Sequence, residues 1–143
     1  MARRLVDAHG AHRSDGRDGL DRVFPTPEAL ANAKLESIGL PKSRAATIRM
    51  LARAAIEKKI HFGAGQRLDE FVESLVALPG IGPWTAHYVA MRALGDPDAY
   101  PATDIALINA LGRKGDALDQ LKPWRAYAAV RLWRRVARKG VTT

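Results

Sequence analysis

The sequence contains no cysteine, which excludes disulfides, thiolate zinc sites, cysteine-ligated iron–sulfur clusters and cysteine nucleophiles. Its four histidines offer one pair at a metal-like spacing, His9 and His12, in a Gly/Arg/Asp-rich stretch that does not favour a metal site. No apolar run approaches the ~20 residues that cross a bilayer, and the N-terminus lacks the apolar segment of a signal peptide. We therefore expect a soluble, cytoplasmic protein with no membrane partner.

Positive charge is concentrated near the C-terminus. The 143 residues carry a formal net charge of +8, and the last 31 residues contribute +7 of it through nine basic and two acidic side chains. A basic pole of this kind suits a polyphosphate partner, because neutralising phosphates releases condensed counterions. An anionic membrane surface is the competing interpretation. The nine basic residues are Arg113, Lys114, Lys122, Arg125, Arg131, Arg134, Arg135, Arg138 and Lys139.

The hydrophobic content of 47% and charged content of 27% are typical of a globular chain, and 143 residues are the size of one ordinary domain. Apolar residues recur at helical spacing and no segment alternates with period two, so the pattern predicts an all-α fold without a sheet. We expect a helix remnant and flexible loop over residues 1–23, followed by one helical domain over 24–143. The predicted helices cover about 27–33, 42–59, 68–78, 83–94, 105–111 and, opened by Pro123, 123–138. Thr26 is the predicted N-cap of the first of them, with Pro27 at the first helical position.

Residues 78–86, Leu-Pro-Gly-Ile-Gly-Pro-Trp-Thr-Ala, predict two helices joined by a very short turn. Gly80 and Gly82 can take positive φ there, and Pro83 presets the first turn of the next helix. Backbone N–H groups at such a turn and helix start point outward with the positive end of the dipole, which suits a phosphate. A plain helical hairpin without a ligand is the equally open alternative.

Three motifs carry a family resemblance. They are Pro-Gly-Ile-Gly-Pro-Trp-Thr-Ala-His-Tyr (79–88), Tyr-Pro-Ala-Thr-Asp (100–104) and Lys-Pro-Trp-Arg-Ala-Tyr (122–127). In this order they resemble the helix-hairpin-helix Gly-Pro-Asp superfamily of base-excision DNA glycosylases, and in particular the DNA-3-methyladenine glycosylase II family. The resemblance runs from about Phe24 to Lys139. It implies a helix-hairpin-helix glycosylase domain that corresponds to the C-terminal catalytic portion of the family.

The resemblance implies that Asp104 is the catalytic carboxylate. The residue types agree, because Asp104 stands at the start of a predicted helix, where the dipole and N–H groups hold it ionised. A fixed carboxylate stabilises the positive charge that glycosidic cleavage builds on the sugar, and it can orient or deprotonate the attacking water. Without the upstream hairpin, a plain helix cap would be the simpler interpretation of Asp104.

The remaining site residues are also implied by the resemblance. Trp84, Tyr88 and Trp133 would surround a flipped base, where electron-rich rings stack on a cationic purine. Trp84 stands where bifunctional relatives carry a lysine, so hydrolysis without strand cleavage is expected. The residues expected to contact DNA at the hairpin are Gly80, Ile81, Gly82, Trp84 and Thr85. Main-chain carbonyls expected to bind a monovalent cation are those of Val76, Leu78 and Ile81.

The implied function is removal of alkylated purines such as 3-methyladenine from double-stranded DNA, by a monomer that requires no cofactor and, in a bacterium, works at the nucleoid. One alternative is a non-catalytic helix-hairpin-helix module or inactive fragment that only grips phosphates; another is a basic domain that binds proteins or membrane surfaces. Two departures from the family stand out. Ile105 replaces a tyrosine common after the aspartate, and the helix that supplies a wedge into the duplex is not found, as if the chain were truncated at its N-terminus.

Overall fold

The computed structural model describes residues 1–14, 21–63, 65–112 and 116–140. Helices dominate these residues, and an isolated antiparallel bridge between His12 and Arg22 is the one β pairing among them. The α-helices are α1 (Ala2–His9), α2 (Pro27–Ala31), α3 (Lys42–Ile56), α4 (Leu68–Val76), α5 (Pro83–Val89), α6 (Ile105–Leu111) and α7 (Arg125–Gly140). Between them lie 3₁₀ helices at Leu35–Ile38 and Asp116–Leu121 and a π-helical segment at Ala90–Leu94. The predicted all-α class is confirmed.

Backbone contacts divide the chain into two compact units. The first comprises residues 1–61 and 78–80, and the second comprises residues 62–77 and 81–143. This division differs from the boundary expected between residues 23 and 24, which stays a prediction. No helix within the described ranges is long and apolar enough to cross a membrane.

The core of the first unit is formed by Leu5, Ala33, Leu35, Leu40 and Ala45. Leu5 comes from α1, so the first helix packs with the residues that follow position 24. After α1, backbone hydrogen bonds join residues 11–13 to residues 21–23: the N–H of residue 13 donates to the carbonyl of residue 21 at 2.7 Å, and that of residue 23 donates to the carbonyl of residue 11 at 3.0 Å. Residues 15–20 of the expected flexible loop lie outside the described residues.

The helix starts follow local chemistry. Thr26 accepts a hydrogen bond from the N–H of Ala29 at 3.3 Å and Pro27 occupies the first helical position, as the sequence predicts. Helices α2, α3 and α4 end two to three residues earlier than predicted, a usual margin for fraying helix termini. The 3₁₀ helices were not predicted, because four to six residues give too little periodicity to detect.

The start of α7 differs from the prediction that Pro123 opens it. The helix begins at Arg125, because the preceding 3₁₀ helix continues as a turn in which the N–H of Trp124 donates to the carbonyl of Leu121 at 2.6 Å. Pro123 lies in that turn after a cis peptide bond. The first N–H groups of α7 are satisfied from an earlier loop, since Ala126 N–H donates to the carbonyl of Pro97 at 2.9 Å.

The largest fully buried side chains of the second unit are those of Phe71 and Leu75 on α4 and of Leu107 on α6. Ala86 and Ala129 are also fully buried, on α5 and α7 respectively. Small residues at these positions let helix backbones approach closely around the three large side chains. This packing fixes α5, α6 and α7, the helices that carry the predicted site residues.

Candidate active site

Asp104 is held at the start of α6 by its own loop. Tyr100 and Pro101 are buried, and the N–H of Asp104 donates to the carbonyl of Pro101 at 2.9 Å. The Asp104 backbone is extended, and its Oδ1 accepts a hydrogen bond from the N–H of Leu107 at 2.9 Å. This is the geometry of an N-cap, as the sequence predicts. Backbone groups of the loop and of the first turn of α6 therefore hold the side chain of Asp104 in place, independently of other side chains.

Two tryptophan side chains donate hydrogen bonds to the same carboxylate. Trp84 Nε1 lies 2.8 Å from Oδ2 of Asp104, and Trp133 Nε1 lies 3.0 Å from Oδ1. The first indole comes from α5 and the second from α7, so three helices meet at one carboxyl group. Sequence reasoning placed these tryptophans near a base but did not find their bonds to Asp104, which join residues 20 and 29 positions apart.

The balance of these contacts lowers the pKa of Asp104. Partial burial is the largest single effect and raises the pKa, because it disfavours the charged form. The hydrogen bonds from Trp133, from the N–H of Leu107 and from Trp84 favour the ionised form and together outweigh it. Asp104 is therefore a carboxylate at neutral pH, held in one orientation.

The three aromatic rings next to Asp104 form a connected cluster. Trp84 and Tyr88, one helical turn apart on α5, stack with ring centroids 5.2 Å apart and planes within 6°. Tyr88 and Trp133 lie 6.0 Å apart and are tilted by 59°. The exposed fractions of Trp84 and Tyr88 are 39% and 38%, so aromatic surface remains open to a ligand. The structure brings together the four residues singled out from the sequence.

The two hairpin glycines differ from each other. Gly80 has φ +89, as expected, whereas Gly82 has φ −92 and ψ 171 and acts as the N-cap of α5. The expectation of positive φ at Gly82 is wrong, because an N-cap residue adopts extended backbone. A Cβ at Gly80 would overlap the hydroxyl of Thr47, which donates to the carbonyl of Pro79 at 3.1 Å, while a Cβ at Gly82 would meet nothing within 4 Å. Chain packing therefore explains a glycine at position 80 but not at position 82.

Of the other residues expected to contact DNA, Ile81 is buried at 8% exposure and Thr85 is exposed. At Ile81 a ligand could therefore reach the backbone but not the side chain. The carbonyls of Val76, Leu78 and Ile81, which the resemblance assigns to a monovalent cation, accept none of the backbone hydrogen bonds found in the loops and turns of the described chain. Within the same residues, no group of three or more acidic or histidine side chains could hold a metal ion.

An ion pair missed by the sequence analysis fixes α7 to the loop before Asp104. Arg125 donates to Asp98 through Nε at 2.8 Å and Nη2 at 2.6 Å, and through Nη1 to Asp119 at 3.0 Å. Both side chains of the Arg125–Asp98 pair are mostly buried. The hydrogen bonds from Arg125 lower the pKa of Asp98. This contact lies at the N-terminal end of the helix that carries Trp133.

Two further features flank the site. Ile105, next to Asp104, is 74% exposed and lines a groove of about 610 Å³ between α6 and α7 that includes Val136. Val136 is itself exposed, whereas Ala126 and Ala129 nearer the start of α7 are buried. Of the nine C-terminal basic residues, Arg113 and Lys114 lie outside the described residues.

Comparison with known proteins finds curated relatives that match most of this chain. The chain is 38% identical to the probable bifunctional transcriptional activator/DNA repair enzyme AlkA of Mycobacterium tuberculosis, over 92% of this chain and 28% of that protein. It is 32% identical to DNA-3-methyladenine glycosylase 2 of Escherichia coli, over 93% of this chain and 49% of that protein. The chain thus spans half or less of the length of these relatives. No family model matches it.

A solved structure with a similar fold is the Schizosaccharomyces pombe 3-methyladenine DNA glycosylase in complex with abasic DNA. The two share 25% sequence identity and a TM-score of 0.65, over 85% of this chain and 66% of that one. The chain has the helical fold of the helix-hairpin-helix DNA glycosylases. By sequence it is homologous to part of the DNA-3-methyladenine glycosylases of the AlkA type, so the resemblance drawn from its three motifs is confirmed.

Proposed function

We propose that this chain hydrolyses the N-glycosidic bond of alkylated purines, such as 3-methyladenine, in double-stranded DNA. The observation that carries the proposal is the ionised carboxylate of Asp104, held by the indoles of Trp84 and Trp133 beside an exposed stacked pair of rings. The names of the relatives point the same way, since they are DNA-3-methyladenine glycosylases. The activity would belong to base-excision repair and, in a bacterium, would act in the cytoplasm at the nucleoid.

The aromatic cluster supplies a surface for a cationic base. An alkylated purine carries positive charge, and electron-rich indole and phenol rings attract a cation at their faces. Such a base must leave the duplex stack to reach a side chain, and stacking on Trp84 or Tyr88 offsets part of the energy of unstacking. Because the base is already positive, it departs with the bonding electrons as a neutral molecule. The site therefore needs no acid to protonate the leaving group.

Asp104 then meets the charge left on the sugar. As the bond between C1′ and the base nitrogen breaks, positive charge develops on the deoxyribose, and a fixed carboxylate stabilises it. Oδ1 already accepts two hydrogen bonds, from Leu107 and Trp133, whereas Oδ2 accepts one, from Trp84. An ionised carboxylate oxygen has two acceptor positions. Oδ2 accepts fewer of these bonds, so we assign to it the water that adds to C1′. The proton that this water loses passes to Oδ2 and from there to solvent.

Strand cleavage is not part of the proposal. A lyase step requires an amine that forms a Schiff base with the sugar, and the corresponding position is Trp84, whose nitrogen is engaged by Asp104. Borohydride reduction during turnover should therefore trap no covalent protein–DNA adduct. Recovery of such an adduct would refute the monofunctional assignment.

The hairpin is proposed to hold the DNA backbone through main-chain groups. Gly82 is exposed, and its missing side chain leaves space that the protein itself does not fill. The outward N–H groups at the start of α5 suit a phosphate oxygen. A monovalent cation bound by the carbonyls of Val76, Leu78 and Ile81 would stiffen the same turn. The test is to measure DNA affinity in potassium and in a bulky organic cation, because only potassium should strengthen binding.

The competing function is a module that grips DNA without chemistry. Such a module needs neither a carboxylate at position 104 nor indole donors aimed at it, and the structure has both. A direct test is to incubate methylated duplex DNA with the wild-type chain, with Asp104→Asn, and with the control Asp69→Asn. Asp69 lies in the first turn of α4 and is exposed.

Asparagine preserves the shape and capping oxygen of Asp104 but removes its charge. We expect release of free 3-methyladenine by the wild type and Asp69→Asn, and a fall of about 10²-fold or more with Asp104→Asn, the scale of losing a preorganised electrostatic group. Equal release by Asp104→Asn and the wild type would refute the catalytic role. Duplex binding without release by any of them would establish the gripping module instead.

A further inference from the structure

A second groove in the second unit lies between α7 and the π-helical segment Ala90–Leu94, and it has a volume of about 540 Å³. It contains neither Asp104 nor any of the three rings beside it. Arg92 contributes from the π-helical segment, and Arg131 and Arg134 contribute from α7. We call it the arginine groove. Asp96 and Tyr127 also line it.

The three arginines of the arginine groove have no ion-pair or hydrogen-bond partner within the part of the chain that the structure describes. All three are exposed. Other arginines of this chain are paired: Arg49 with Glu36 at 2.8 Å, and Arg125 with Asp98 at 2.6 Å. The groove therefore concentrates positive charge that the protein does not neutralise.

One acidic residue, Asp96, lines the arginine groove, and it is engaged locally. Its Oδ1 accepts a hydrogen bond from the N–H of Asp98 at 2.8 Å, which closes a short turn. With three arginines and one aspartate, the lining carries a formal charge of +2. Charge complementarity thus favours an anionic occupant with more than one negative group.

The arginine groove is on a different side of α7 from the proposed active site. Successive residues of an α-helix are rotated by about 100°, so Arg131 and Arg134 lie about 60° apart, while Trp133 lies about 100° from Arg134 and 160° from Arg131. Tyr127 lies on the arginine side, and 64% of its surface is exposed. The groove and the Asp104 cluster can therefore be occupied at the same time.

We propose that the arginine groove binds the phosphodiester backbone of DNA outside the damaged nucleotide. A guanidinium group presents paired N–H donors that match two oxygens of a phosphate, and it is less strongly hydrated than an ammonium. Arg131 and Arg134 are separated by about 4.5 Å along the helix axis, so their long side chains can reach neighbouring phosphates of one strand. Arg92 lines the same groove, so all three guanidinium groups can contact that strand.

The arginine groove is separate from the proposed hairpin contact. Pro83 begins α5, and Arg92 lies nine residues further along the same helical path, about 14 Å away at the usual rise. The identity of the polyanion as duplex DNA rests on the proposed function; the charge and shape of the groove do not depend on it.

The test uses the double variant Arg131→Gln/Arg134→Gln and a control with the same change of charge, Arg3→Gln/Arg53→Gln, whose exposed residues belong to the first unit. Binding of each to an undamaged 20-base-pair duplex is measured by fluorescence anisotropy between 50 and 300 mM salt, about the range in which counterion release dominates. Circular dichroism establishes that every variant is folded before binding is compared.

We expect the slope of log K against log salt to fall by about 1.8 in the groove variant, and its affinity at 0.1 M salt to fall on the order of tenfold to a hundredfold. The control should change the slope by less than half of that. Equal slopes for groove variant and control would overturn the proposal. So would an unchanged duplex affinity with a loss of poly-glutamate binding, because that result identifies an acidic protein as the occupant.

Base release separates this inference from the proposed function. If the wild type releases no base, the proposed function fails, while the salt dependence still decides whether the groove binds a phosphodiester backbone.

Discussion

Replacing Trp133 by phenylalanine tests whether the indole donors keep Asp104 ionised. The substitution preserves an aromatic ring on α7 and removes the Nε1 donor that lies 3.0 Å from Oδ1 of Asp104. A hydrogen bond to a charged group contributes about 1.5–3 kcal/mol, and the lower end applies here because Asp104 is only half buried. Losing this donor disfavours the ionised form, so the pKa of Asp104 should rise towards its unfolded value.

The sign follows from the direction of the shift in the wild type. The pKa of Asp104 is lowered in the folded protein, so the stability gained from its ionisation is present above the unfolded pKa of about 3.9 and is lost as pH falls through the folded pKa. In Trp133→Phe the folded pKa moves back towards the unfolded value. The acid limb of base release should therefore move to higher pH, with little change in rate at neutral pH from this cause.

The titration of the Asp104 carboxyl carbon, followed by NMR and assigned with Asp104→Asn, measures this effect without relying on activity. Tyr88→Phe is the matched control, because it also alters one ring of the cluster but removes a hydroxyl that makes no hydrogen bond to Asp104. The control should leave the midpoint unchanged. An identical Asp104 midpoint in Trp133→Phe and the wild type would refute the assignment of the indole as a stabilising donor.

Three further predictions concern stability and the hairpin. Gly80→Ala should destabilise the fold by about 1–3 kcal/mol, because the φ of +89 disfavours a side chain and the added Cβ overlaps Thr47. Gly82→Ala is its control, because position 82 has φ −92 and open space around it. This variant should keep the wild-type melting temperature and bind duplex DNA more weakly. Asp98→Asn should lower the free energy of unfolding in urea by about 1–3 kcal/mol at pH 7, since it breaks the bond to Arg125. The difference from the wild type should shrink as pH falls through the lowered folded pKa of Asp98. A difference that does not depend on pH would contradict this. Leu107→Ala should destabilise by about 2–5 kcal/mol, because the side chain is fully buried, and an unchanged unfolding midpoint would refute its place in the core.

Much of the local structure could be predicted because its causes are local. Thr26 and Asp104 cap helices through hydrogen bonds that reach only three residues ahead, and both caps were predicted. The turn at Gly80 and the helix beginning at Pro83 follow from residue types that leave the backbone few alternatives. The expectations for Pro123 and Gly82 were wrong, because a 3₁₀ turn and an N-cap conformation overrode the usual preference of each residue type.

The amino-acid sequence by itself determined the all-α class, the hairpin, the capped carboxylate and the absence of a lysine at position 84. Only the tertiary structure decided what surrounds that carboxylate. Whether two indoles donate to Asp104 depends on how α5 and α7 pack against α6, and residues 20 and 29 positions apart carry no signal of that contact in their spacing. The same holds for Arg125 and Asp98 and for the arginine groove. The residue type sets the charge of a side chain, whereas tertiary packing decides which other residues that side chain contacts.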